Sequence, residues 1–144
     1  MHYAGLMGEV RVSVKLSNIV DLELAARGER ILPRELEVSA IVDTGAVRSV
    51  IPARLAEALG LRVFPGRGAT LADGRRVEAG RAEGLRFEIL GRVTSEDAIV
   101  LGDEVLIGQT TLESTDLVVD CANRRVFPNP DNPSGALKVR LATP

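Results

Sequence analysis

Tryptophan is absent from this chain, and aromatic residues make up only 3% of its 144 positions. A core cannot be built around large rings here, so Val, Leu, Ile and Ala must fill it. There is a single cysteine, Cys121, which excludes an intramolecular disulfide and suits a reducing compartment. It follows the apolar run Leu117-Val118-Val119 and reads as a buried structural thiol rather than a nucleophile. The lone histidine, His2, stands at the start of the chain, which leaves no material for histidine-dependent catalysis or a His/Cys metal site. Charge of one sign is also lacking. Eighteen basic residues against twenty acidic ones leave a net charge of -2, so nothing points to nucleic acid or to a membrane surface. No apolar run reaches membrane length and no signal peptide is visible, so the expectation is a soluble, cytoplasmic protein.

What the chain has in plenty is period-two alternation. Its length fits one domain, large enough to bury about two-thirds of its unfolded surface. Glu9 to Leu16 alternates with Val10, Val12, Val14 and Leu16 on one face, which predicts a half-buried strand. Ser17-Asn18 predicts a turn, and Val20, Leu22 and Leu24 a second strand. Pro33 bars a central strand near it, and a third strand runs from Leu36 into Asp43. Pro52 to Leu59 is the best helix, with Leu55, Ala58 and Leu59 facing inward and Gly60 placed to end it. Thr70 to Val77 predicts a hairpin turning at Asp73-Gly74 with the positive φ angles of a type I′ turn. Leu85, Phe87 and Ile89, then Ala98 to Leu101, then Val105 to Gly108 predict further strands. A short helical turn follows at Thr111 to Glu113, and Leu117 to Asp120 with Val126-Phe127 form two closing strands. The expected division is a domain over 1-127 and, over 128-144, a proline-rich linker with a terminal strand of Leu137, Val139 and Leu141.

The stretch Ala40-Ile41-Val42-Asp43-Thr44-Gly45-Ala46 breaks this pattern. An apolar strand ends in a carboxylate, a hydroxyl and a glycine, and Val47, Val50, Ile51 and Pro52 follow without a return to polar loop chemistry. Strand interiors disfavour aspartate, so Asp43 is either a turn residue or a working acid.

Two apolar residues leading into Asp43-Thr44-Gly45-Ala46, with Val105-Leu106-Ile107-Gly108 about sixty residues later, resemble the two-part signature of retropepsin-like aspartic proteases. The resemblance covers about residues 36 to 127. It implies an all-β, closed-barrel-like fold with one short helix, acting as a homodimer on peptide or protein substrates without metal or cofactor. Asp43 would be the catalytic acid, supported by Thr44, which would hydrogen-bond within the loop, and by Gly45. Gly45, Ala46, Val47 and Arg48 would line the cleft floor, Asp73 and Gly74 would form the tip of a flap, and Leu106 would border a substrate pocket. The sequence departs from the retroviral pattern at Val47, at the flap tip, and at Gln109-Thr110, where an arginine and an acid or amide would stand.

The chemistry explains the dimer. Two carboxylates about 4 Å apart repel by roughly 4 kcal/mol at an effective dielectric of 20. Their ionisations then separate by about three pH units, so one proton is shared between an acid and a base. No second Asp-Thr-Gly or Asp-Ser-Gly occurs in the chain, so the twin acid must come from another copy. The competing reading is a dimeric peptide-binding module of the same fold that cleaves weakly or not at all.

Overall fold

The computed structural model describes residues 9–66, 68–137 and 141. The chain runs β1 (Val10–Asn18), α1 (Ile19–Ala26), β2 (Glu35–Val42), β3 (Val50–Ile51), α2 (Ala53–Ala58), β4 (Arg62–Phe64), β5 (Ala69–Thr70) and β6 (Arg76–Val77). It continues with β7 (Gly80–Ile89), β8 (Arg92–Val100), β9 (Leu106–Ile107), α3 (Gln109–Thr115), β10 (Leu117–Asp120) and β11 (Arg125–Pro128).

Six strands close on themselves in the order β1-β2-β9-β3-β8-β7, and β7 pairs back with β1. Closure depends on the length of β1, which lies along all of β2 and also pairs its last residues, Lys15 to Asn18, with Leu85 to Glu88 of β7. A closed ring leaves few strand edges to recruit other chains, and β4 pairs with Arg81 to Glu83 of β7, next to the Leu85–Glu88 stretch that pairs with β1. Inside sit Val14, Leu16, Ala40, Ile51, Leu85, Phe87, Ile89 and Ile107, all fully buried. Phe87 is the one buried aromatic among the described residues, so aliphatic side chains do fill the interior.

The alternation read in β1, β2 and β7 is therefore the inward and outward faces of a barrel. The expectation of one helix was wrong: the described residues contain three. The segment holding Val20, Leu22 and Leu24 is α1, not a strand, because a local cap outweighs its alternation. Asn18 Oδ1 accepts from the Asp21 N–H at 3.0 Å, and Asn18 Nδ2 donates to Leu59 O at 2.7 Å. Asp21 in turn takes hydrogen bonds from the Arg34 backbone and guanidinium, and these hold its carboxyl down to about 2. Val20 and Leu24, one turn apart, are left exposed.

Helix α2 lies where proline and alanine placed it, but it buries Ala56 and Leu59 while Ala58 faces out. Cys121 is exposed, because the chain leaves β10 into a turn before reaching it. The hairpin turn at Asp73-Gly74 is not type I′, since only Gly74 of the pair has positive φ, and the loop spans Leu71 to Arg75. The two-residue connection with both φ angles positive is Leu90-Gly91, between β7 and β8.

Residues 128–137 are fastened to the barrel. Asn129 and Asn132 donate to the Asp116 carboxylate, while Arg92 donates to the carbonyls of Thr115 and Asn132. The terminal strand expected at Leu137, Val139 and Leu141 lies largely outside the described residues, as do His2 and Tyr3; Leu137 and Leu141 are exposed. Among the described residues no helix is long and apolar enough to cross a membrane.

Candidate active site

Strand β9 lies between β2 and β3, parallel to the first and antiparallel to the second. The chain leaving β2 must therefore arch over the end of β9 to enter β3, and that arch is Asp43 to Ser49. Its start is set by Asp43 N–H donating to Ile107 O at 2.9 Å. The Gly45 N–H donates to Asp43 Oδ1 at 3.0 Å and the Ala46 N–H to Asp43 O at 3.1 Å, so the carboxylate folds back on its own turn.

The far side of the arch is clamped by the start of α3. Gln109 N–H donates to Ala46 O at 2.8 Å and Thr110 N–H to Val47 O at 2.9 Å. Beneath them the buried Ser49 Oγ accepts from Gly108 N–H at 3.0 Å and shares a hydrogen with the buried Thr111 Oγ1. A Cβ on Gly108 would lie 2.6 Å from the carbonyl carbon and oxygen of Arg48, so only glycine lets the two backbones approach this closely. Where an ionic buttress would stand, Gln109 and Thr110 use main-chain donors, and a neutral hydroxyl pair fills the interior.

Asp43 is half-buried, and among the described residues its side chain accepts no other hydrogen bond and has no cation within ion-pair distance. It opens on a cleft of about 640 Å³. One wall is Asp43 with Gly45, Ala46, Val47 and Arg48; the facing wall is Gly68 to Ala72, from the first limb of the hairpin. Val50, Ile99 and Leu101 give it an apolar flank. A second cavity of about 210 Å³ shares Arg48, Gly68, Ala69 and Ile99 and extends to Arg81 and Asp97.

Five of the nine residues singled out in the sequence thus share one cleft. The other four stand apart from its walls. Thr44 is exposed and its hydroxyl makes no hydrogen bond among the described residues, so the bond expected within its own loop is not made. Asp73 is engaged by Arg75, whose backbone N–H and then guanidinium pull its carboxyl below the usual range, and Gly74 caps the turn. Leu106 is half-buried in β9, paired with Ile41 and Val50. Ser49 and Thr111 were not foreseen. Neither carries a local signal, since Ser49 follows Arg48 and Thr111 stands in the polar run Gln109-Thr110-Thr111, and they are 62 positions apart.

A sequence profile of a family described as aspartyl protease matches residues 34–119. The match takes in β2, the Asp43 arch, the hairpin, β9 and α3. No curated protein matches the chain. Among solved structures it is similar to the EIAV protease complexed with the inhibitor HBY-793. Identity is 22%, the alignment covers 54% of this chain and 75% of that one, and the TM-score is 0.48.

Proposed function

The chain belongs to the aspartyl protease family, and from that premise we propose that it is an aspartic endopeptidase whose water-activating dyad is formed by Asp43 from each of two identical subunits. The observation that carries this reading is the state of Asp43 itself. Its backbone is pinned to β9, one carboxylate oxygen is held by Gly45, the other has no partner among the described residues, and the residue lines an open cleft. A second acid sharing one proton with it would give the pair a base for water and an acid for the carbonyl oxygen at once. One carboxylate takes a proton from water while the other donates one to the scissile carbonyl oxygen.

Thr44 fits the same symmetry. Unbonded among the described residues and exposed beside Asp43, it is available to the second copy's loop, where it would hold the two acids in register. A substrate would lie extended between the arch and the first limb of the hairpin. Main-chain hydrogen bonds would bind it, with Ala46, Val47 and Arg48 beneath. Asp73 and Gly74 would act at the hairpin's end rather than on the cleft wall. The single cysteine suits action in the reducing cytoplasm.

The test is cleavage of an unstructured peptide library at mildly acidic pH. Wild type should turn over, and Asp43→Asn should lose activity by about 10²–10⁴-fold. Excess Asp43→Asn added to wild type should also suppress turnover as mixed dimers form, and sedimentation should report a dimer. Equal turnover by the two proteins would overturn the mechanism. Peptide binding by both with turnover by neither would support the binding module instead.

A further inference from the structure

Arg48 is the charged residue among the four that border both cavities, the 640 Å³ cleft holding Asp43 and the 210 Å³ extension beyond it; the others are Gly68, Ala69 and Ile99. Its backbone is fixed on both sides. Val47 O accepts from Thr110, Ser49 is buried in the hydroxyl pair, and the carbonyl of Arg48 lies against Gly108. Its side chain, by contrast, is exposed and has no carboxylate within ion-pair distance among the described residues. Among the described residues the other charges lining the extension, Arg81 and Asp97, pair with each other at 3.3 Å, and Arg81 also reaches Glu83 at 3.5 Å.

We propose that Arg48 sets substrate specificity, selecting peptides that carry a glutamate or aspartate side chain at the junction of the two cavities. This rests on the reading of the cleft as a peptide-binding site. A guanidinium offers a planar fork of donors that matches a carboxylate two bonds at a time, and here the backbone that carries it is already fixed, so only side-chain freedom is lost on pairing. Beside the apolar flank of Val50, Ile99 and Leu101, such a bond is partly shielded from water. Replacing the peptide's carboxylate by an amide should weaken recognition by about ten- to a hundredfold, the range of a charged hydrogen bond.

The test uses matched peptides with Glu or Gln at each position flanking the cleaved bond, at about pH 6, where a peptide glutamate is ionised. Both kcat/KM and the affinity of non-hydrolysable versions are measured. Wild type should prefer Glu at one position by the stated factor. Arg48→Gln should bring that ratio to about one, Arg48→Lys should keep part of it, and Arg48→Glu should reverse it toward a lysine peptide. A ratio near one in wild type, or a ratio that survives Arg48→Gln in a protein whose Tm is unchanged, overturns the proposal. The affinity arm separates the two readings: Glu selection lost with Arg48 but no turnover by wild type would sink the endopeptidase and leave this inference standing.

Discussion

The cleft has two walls held in very different ways. The Asp43 arch is tied to other elements at four of its seven residues: to β9 through Asp43, to α3 through Ala46 and Val47, and to the interior through Ser49. The hairpin opposite is a two-stranded sheet of its own, joined by two register pairs, and its turn is bonded only to itself. The arch is anchored in the most deeply buried part of the barrel, while the hairpin adds almost nothing to the core. In the proposed endopeptidase, catalytic geometry must be held within a fraction of an ångström, whereas a wall that admits and releases a chain must open. The difference places rigidity on the side of the acid and low local stability on the side of the covering strand.

That comparison breaks most severely at Gly108. In Gly108→Ala the new methyl would meet the Arg48 backbone at 2.6 Å, so either the arch or the start of α3 must move. The expected cost is about 3 kcal/mol, read as a fall in Tm of roughly 10 °C at matched protein concentration. Peptide turnover should fall further than stability explains, because the displaced segment carries the carboxylate. A protein of unchanged Tm would mean that the close approach is not needed.

Ser49→Ala should cost less, about 2 kcal/mol, because the buried Gly108 N–H and the Thr111 hydroxyl both lose a partner. Adding Thr111→Val removes one of these orphans and should recover part of the loss, which a denaturant titration of the single and double variants can measure. Additive losses would show that the hydroxyl pair is incidental to the arch.

The same contrast explains what could be read from residues alone. Barrel strands whose two faces differ write their burial into the sequence every second position, so β1, β2 and β7 were legible. Asp43 was legible because an acid ending an apolar strand is locally inconsistent, and such conflicts concentrate at functional sites. Helix α1 was misread because its signal is a cap, Asn18 three residues before Asp21, and not a hydrophobic period. The clamp on the arch was invisible for another reason. Ser49 with Thr111 and Ala46 with Gln109 are pairs closed by the parallel placement of β9 beside β2, and a non-local register leaves no trace within a short window. Cys121 misled because an apolar run was extended one residue past its turn.

The smallest expected effect lies on the hairpin, and it sharpens the comparison most. Asp73 holds the Arg75 backbone N–H at 3.0 Å and its guanidinium at 2.7 Å, with both side chains exposed. These bonds lower the Asp73 carboxyl from its ordinary value, so their contribution is present above that ordinary value and fades as pH falls through the lowered one. Because β5 and β6 pair with each other and not with the barrel, the fading should be local. Asp73→Ala should therefore leave the global Tm unchanged near neutral pH while speeding amide exchange at Leu71 and Gly74, whose N–H groups close the turn. Acidifying wild type should lower the protection factors of the same amides, taken against intrinsic exchange at each pH, toward those of the variant, with the protection factors of Asp43 and Gly108 unmoved. Exchange quickening at Gly108 as well would mean that the two walls open as one unit, and that the contrast between a fixed floor and a loosely held cover is not a property of this fold.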